Sequence, residues 1–188
     1  MLTPRYDRTL TIFTIGHSTL PIEKFLEMLD AHSLRQLVDV RTIPKSLRNP
    51  QFGQDQLAVS LEQHGIHYVH LPGLGGLRHA RKDSLNTGWK NASFRGYADY
   101  MQTAAFRENL AKLMELAAAV PTVIMCAEAV PWRCHRSLIA DALTARGIEV
   151  EHIFNANSRK SHSYTPFARI EGESVTYPAL PLLRPDRL

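Results

Sequence analysis

Short apolar runs and stripes of helical period alternate along this chain. Residues 10–15, LTIFTI, are a compact β-branched run closed by Gly16, the pattern of a buried strand. Pro21 then suits the first turn of a helix, where the N–H it lacks would have no partner anyway. Ile22, Phe25, Leu26 and Leu29 follow at helical spacing and form one apolar stripe. Residues 36–40, QLVDV, read as a second strand. Leu57, Ala58 and Leu61 mark a second helix that Gly65 can end, and residues 67–71 make a third strand. Helical pattern returns at Phe94 and is strongest at Phe106, Leu110, Leu113, Met114 and Ala117. Residues 122–126, TVIMC, form the most apolar strand, and Leu138, Ile139, Ala142 and Leu143 another helix stripe, stopped by Gly147. Residues 149–154 are a fifth strand whose charges place it toward an edge.

The alternation predicts a single α/β domain, residues 1–188, with a mainly parallel sheet of about five strands flanked by helices. Residues 167–178 look like two short strands, a C-terminal hairpin. No repeat or linker marks an internal boundary. The polar, glycine-rich stretch 72–93 has no period, and loops of that length are usually functional or mobile.

Composition narrows the setting. At 188 residues the chain suits one domain with a sizeable core, and no apolar run approaches the roughly 20 residues that cross a bilayer. The first residues lack the pattern of a signal peptide, so a cytoplasmic location is expected. The two cysteines are then expected as thiols, spaced wrongly for a Cys-x-x-Cys motif. A net charge of +4 permits an anionic small molecule or nucleic acid as partner without demanding one.

In an open parallel sheet, ligands bind beyond the carboxyl ends of the strands. The residues after each predicted strand carry the polar chemistry: GHST, RTIPKS, PGLGGLR and AEAVPWRCHR. Parallel strands would bring His17, Ser18, Asp39, Arg41, Lys45, Arg78, Glu128, Cys134, His135 and Arg136 to one edge. TIGHS, DVRTIPKS, LGGLR and CAEAVPWRCHR, in this order, resemble the domain-of-unknown-function family 488, and so does YTPFARI near the end. The resemblance implies an α/β domain and a shared set of polar motifs, with no established reaction attached.

Cys134 falls at the predicted start of a helix, beside Arg133, His135 and Arg136. The helix dipole and nearby cations favour a nucleophilic thiolate, whereas the alternative is a small buried thiol. Cys126, ending an apolar strand, reads as core. A phosphate cradle running from Cys126 to Arg133 would need backbone N–H groups curled around an oxyanion. AEAVPW has no glycine and Pro131 removes a donor, so that analogy fails.

Glu128 and Asp39 can divide acid and base roles, or pair with arginines: Asp39 with Arg41 or Arg136, Glu128 with Arg133. His17 can carry a proton or fix its loop. A metal site from His17, Cys134 and His135 lacks a recognisable spacing, and adjacent helical residues diverge, so neither metal nor cofactor is expected. Trp89, Tyr97 and Tyr100 can stack on bases, but tyrosines at helical spacing are usually core. The function expected is a hydrolase or group transferase for a phosphate-bearing substrate, a nucleotide or nucleic acid. In that scheme Cys134, Glu128, His17 and Asp39 are catalytic. Ser18, Arg41, Lys45, Arg78, His135 and Arg136 hold substrate. The alternatives are a non-catalytic nucleic-acid-binding or regulatory module and, less favoured, a metal-dependent enzyme.

Overall fold

The computed structural model describes residues 10–179. Strands and helices alternate as β1 (Thr11–Gly16), α1 (Ile22–Ala31), β2 (Gln36–Asp39), α2 (Gln54–Glu62) and β3 (His67–His70). Two helices follow, α3 (Ala92–Tyr100) and α4 (Ala104–Ala119), then β4 (Thr122–Cys126), α5 (Arg136–Thr144) and β5 (Glu149–Asn155). The chain continues through β6 (Ser158–Ser161) and a hairpin of β7 (Arg169–Glu171) and β8 (Ser174–Thr176).

The sheet order is β3-β2-β4-β1-β5-β6, parallel from β3 to β5, with β6 antiparallel on the β5 edge. Alternate strand residues feed two cores, one on each face. Ile15, Leu37, Val123 and Met125 meet Phe25 and Leu29 of α1 and Leu57 and Leu61 of α2. Ile12, Val38, Ile124 and Cys126 meet Tyr97, Leu110, Leu113 and Leu138 from α3, α4 and α5. No described helix is long and apolar enough to cross a membrane.

The sheet therefore has six strands, one more than the apolar pattern predicts. β6 is Ser-Arg-Lys-Ser and exposed throughout, so it carries no buried face to signal it. It pairs with β5 through the backbone ladder and an Arg159–Glu151 ion pair at 2.9 Å. The helical region near Phe94 also divides in two. Asn91 caps α3 by accepting from the N–H groups of Ser93 and Phe94, and Thr103 caps α4 by accepting from Phe106.

The long stretch 72–93 is pinned rather than free-standing. Buried Asp99 on α3 accepts from the backbone N–H of Arg81 at 2.8 Å, the Ser84 hydroxyl at 2.6 Å and the Asn86 amide at 2.8 Å. The Asn86 carbonyl oxygen in turn accepts from the Tyr177 N–H, tying this loop to the chain after β8.

Candidate active site

The loops after β1, β2, β3 and β4 converge on one cleft of about 1050 Å3 at the strand C-terminal ends. Its lining includes His17, Ser18, Arg41, Lys45, Glu128, Cys134 and His135. Cys126, Arg48 and Arg133 line it as well. The parallel register sets this convergence, because Gly16 pairs with Cys126 and Asp39 with Met125. The β1 and β4 loops touch directly: a Cβ on Gly16 would run into the carbonyl oxygen of Glu128. The N–H groups of His17 and Ser18 donate to the carbonyls of Cys126 and Ala127 at 3.1 and 2.9 Å. Ser18 holds φ at 46°, a left-handed conformation uncommon for serine, at the lip of the cleft.

Asp39 and Arg41 form a closed unit. Nε and Nη2 of Arg41 donate to the carboxylate at 2.9 and 2.6 Å, and the Tyr68 hydroxyl adds a third contact at 2.8 Å. Arg41 also donates to the carbonyl of Phe52 at 2.9 Å. Asp39 is fully buried and outside the cleft lining, so its geometry matches pairing with Arg41. His17 leans on this unit. Its Nδ1–H donates to the Ser18 carbonyl at 2.8 Å, leaving Nε2 facing Nη1 of Arg41 at 3.4 Å, and its ring stacks on Phe52. Burial, opposed by the Ser18 bond and aided by Arg41, pushes its pKa down to about 4. A neutral His17 fixes the β1 loop against Arg41.

The arginines also divide. Arg78 is spent on its own loop: Nε and Nη2 donate to the carbonyls of Gly75 and Gly73 at 3.1 Å, and the guanidinium covers the Tyr100 ring. It is outside the cleft lining. Arg136 is 1 % exposed and has no carboxylate within 4.0 Å among the described residues. It donates instead to the Glu128 carbonyl and, from Nε, to Sγ of Cys134 at 3.4 Å. Lys45, Arg48 and Arg133 are exposed on the lips and make no ion pair among the described residues. Glu128 is exposed in the same cleft, and the alternative to its acid/base role, pairing with Arg133, is not formed among the described residues.

Cys134 does not sit in the first turn of α5. A single 3-10 turn, Pro131–Arg133, precedes it, Cys134 itself is extended at φ −137°, and His135 caps the helix at φ −57°. That bend turns the Cys134 and His135 side chains toward one point, where a continuous helix would have splayed them apart. Sγ of Cys134 lies 3.6 Å from Nδ1 of His135, and Sγ of Cys126 lies 4.0 Å from the same nitrogen. The Cys134 thiol is held well below its ordinary range by the neighbouring Cys126 thiol, against the cost of burial and with help from His135 and Arg136. Cys126 is correspondingly pushed up by the adjoining Cys134 sulfur and by burial. Buried Arg136 thus donates to the Cys134 sulfur, with no carboxylate within 4.0 Å among the described residues.

The family model described as Domain of unknown function DUF488 matches residues 21–143. The chain belongs to this family. The DUF488 match spans the loops after β2, β3 and β4, and so holds the Cys126–Cys134–His135 cluster, Glu128 and the three unpaired cations. It excludes β1 with His17 and Ser18, and the chain from β5 onward. No curated protein and no solved structure matches.

Sequence reasoning assigned Cys126 to the core, and it does pack there, yet its sulfur reaches the cleft. The signal that would have found it is its place as the last residue of β4, next to the ligand-binding edge. The sequence presents Arg133 as a cation beside Cys134 and an alternative partner of Glu128 rather than as a substrate-binding group, and Arg48 carries no site assignment. Tyr97 is fully buried in the core and donates to the Leu74 carbonyl at 2.8 Å, and Trp89, partly buried, packs against Phe94 and Phe167 at the core's margin. Tyr100 lies beneath Arg78.

Proposed function

We propose that this protein is a hydrolase or group transferase for a phosphate-bearing substrate, a nucleotide or nucleic acid, bound in the strand-end cleft. The observation that carries the reading is the set of three cations without an ion pair among the described residues, Lys45, Arg48 and Arg133, around a cleft that also presents Glu128. An arginine or lysine without a protein carboxylate retains its full capacity for a phosphate oxygen, and Arg can meet two oxygens at once. Arg41, Arg78 and Arg136 are committed to Asp39, backbone carbonyls and Cys134, so they brace the loops around the cleft.

The rest of the cleft suits a substrate with an apolar or aromatic part. Ile43, Leu47 and Leu77 are exposed at its mouth, Leu47 completely. A nucleobase against these side chains would remove apolar surface from water while its phosphate meets the cations. Glu128 is the acid/base group in this scheme: its side chain is free, while its backbone carbonyl is fixed by Arg136.

The test is turnover. Nucleotides and short oligonucleotides incubated with the protein are followed by phosphorus NMR, with Glu128→Gln alongside. The reading expects new resonances with wild type, a loss of roughly a hundredfold or more in rate with Glu128→Gln, and binding retained. Binding without turnover in wild type favours a nucleic-acid-binding module. Absence of both overturns the reading.

A further inference from the structure

We propose that Cys126, Cys134 and His135 bind one thiophilic divalent cation, Zn2+ by class, on the floor of the cleft. The proposal goes beyond the phosphate reading and does not depend on it.

The donor atoms are already gathered. The two sulfurs and an imidazole nitrogen all lie within 4.8 Å of one another. With Zn–S near 2.3 Å and Zn–N near 2.0–2.1 Å, a tetrahedral site needs sulfur and nitrogen about 3.6 Å apart. The observed separations from Nδ1 are 3.6 Å to Cys134 and 4.0 Å to Cys126. Two soft thiolates and one imidazole select Zn2+ over Mg2+ or Ca2+, which prefer oxygen.

Three further features address how such a site would be held. Nε2 of His135 lies 3.1 Å from the Val40 carbonyl, an acceptor only, so Nε2 carries a proton and Nδ1 is the ring nitrogen turned toward the sulfurs, the one that would become the ligand. A ligating histidine is commonly oriented by donating its second N–H to a carbonyl in this way. Gly76 leaves room beside the ligating nitrogen, because a Cβ there would stand 2.6 Å from Nδ1. Arg136 donates to the Cys134 sulfur from outside the cluster, which stabilises a thiolate ligand.

Charge balances. Two thiolates neutralise the dication, and binding sends to solvent whatever protons the two sulfurs and Nδ1 still hold. Because all three residues line the cleft, the fourth coordination position faces the space where substrate would lie. Three protein ligands and one open position are the arrangement of a catalytic zinc, which activates water or polarises a phosphoryl oxygen. Cys134 is then a ligand and not the attacking nucleophile.

The experiment uses the full chain, reduced and stripped of metal by chelation, titrated with Co2+ as a spectroscopic probe and then with Zn2+. The expected result is one equivalent of Co2+ bound, with thiolate-to-cobalt charge-transfer absorption that Zn2+ displaces. Cys126→Ser and Cys134→Ser lose that absorption, and His135→Ala weakens binding by at least about tenfold. In parallel, one equivalent of Zn2+ should protect both cysteines of the wild type from alkylation, a readout that holds even where a variant fails to fold. No charge-transfer band, or alkylation of either cysteine at the metal-free rate with Zn2+ present, overturns the proposal. Neither readout involves phosphate or turnover, so failure here leaves the substrate reading to its own test.

Discussion

Arg136 places Nε 3.4 Å from Sγ of Cys134, a buried guanidinium that donates to a sulfur and to no carboxylate among the described residues. The same guanidinium holds the Glu128 carbonyl, so one side chain joins α5, the β4 loop and the cleft floor. Removing it strands an electron-rich sulfur and an unpaired carbonyl. Arg136→Ala should cost about 3–5 kcal/mol in urea denaturation, the range for breaking a buried charged pair. A double-mutant cycle with Cys134→Ser should show coupling of roughly 1–3 kcal/mol. Additive effects would mean that the contact is incidental.

A second buried network fastens the C-terminal segment to the domain. The Asp141 carboxylate on α5 accepts from His162 at 2.8 Å and from the Thr165 and Tyr177 hydroxyls at 2.7 Å each. Asp141→Ala leaves those donors buried without an acceptor and should cost about 3–5 kcal/mol, with Asp141→Asn milder. Hydrogen exchange should show the loss concentrated in the chain after β6. Uniform loosening would contradict a local fastening role.

That network also sets a pH dependence. The Thr14 hydroxyl reaches Nδ1 of His152 at 2.8 Å, and Nε2 of His152 meets Nδ1 of His162 at 3.0 Å, with Asp141 beyond it. Burial, then the neighbouring His162 and Arg136, push the His152 pKa from 6.5 down to about 4, only partly offset by Asp141. A depressed histidine pKa means that the unfolded chain binds the proton more readily. Its contribution is therefore complete above about pH 6.5 and is lost as pH falls toward 4, with a slope approaching about 1.4 kcal/mol per pH unit. NMR titration of the His152 ring should give a midpoint near 4, whereas one near 6.5 would contradict the buried neutral assignment.

Gly16 offers a steric check on the cleft wall. Because its Cβ would collide with the Glu128 carbonyl oxygen, Gly16→Ala has to push the β1 and β4 loops apart. The expected loss is about 1–3 kcal/mol of stability, with faster alkylation of Cys126 as its packing opens. Unchanged stability and reactivity would show that the loops yield without strain.

Apolar periodicity carried the parallel sheet and its helices, because β1, β2, β4 and β5 bury side chains and β3 packs Tyr68 and Val69 partly buried against the two cores. β6 escaped because a fully exposed edge strand has no face to reveal. The convergence of the strand-end loops was legible from the order of strands and motifs alone. The roles within the cleft were not. Whether Arg41 or Lys45 is free depends on where Asp39 points, a distance of a few ångströms that sequence order does not encode. Cys134 and His135 meet only because the chain bends before α5, and Pro131 with its 3-10 turn is what separates that bend from a longer helix.

The central claim, a phosphate-binding cleft, is tested most directly by calorimetric titration of one nucleotide into wild type, Lys45→Ala, Arg133→Ala and Arg78→Ala at two salt concentrations. A charge-assisted contact to phosphate is worth roughly 1.5–3 kcal/mol, so Lys45→Ala and Arg133→Ala should each weaken binding roughly tenfold to over a hundredfold. Arg78→Ala, whose guanidinium is spent on Gly73, Gly75 and Tyr100, should bind within about twofold of wild type once folded. Equal affinities for all four proteins at moderate salt, or no binding to wild type, would contradict the account.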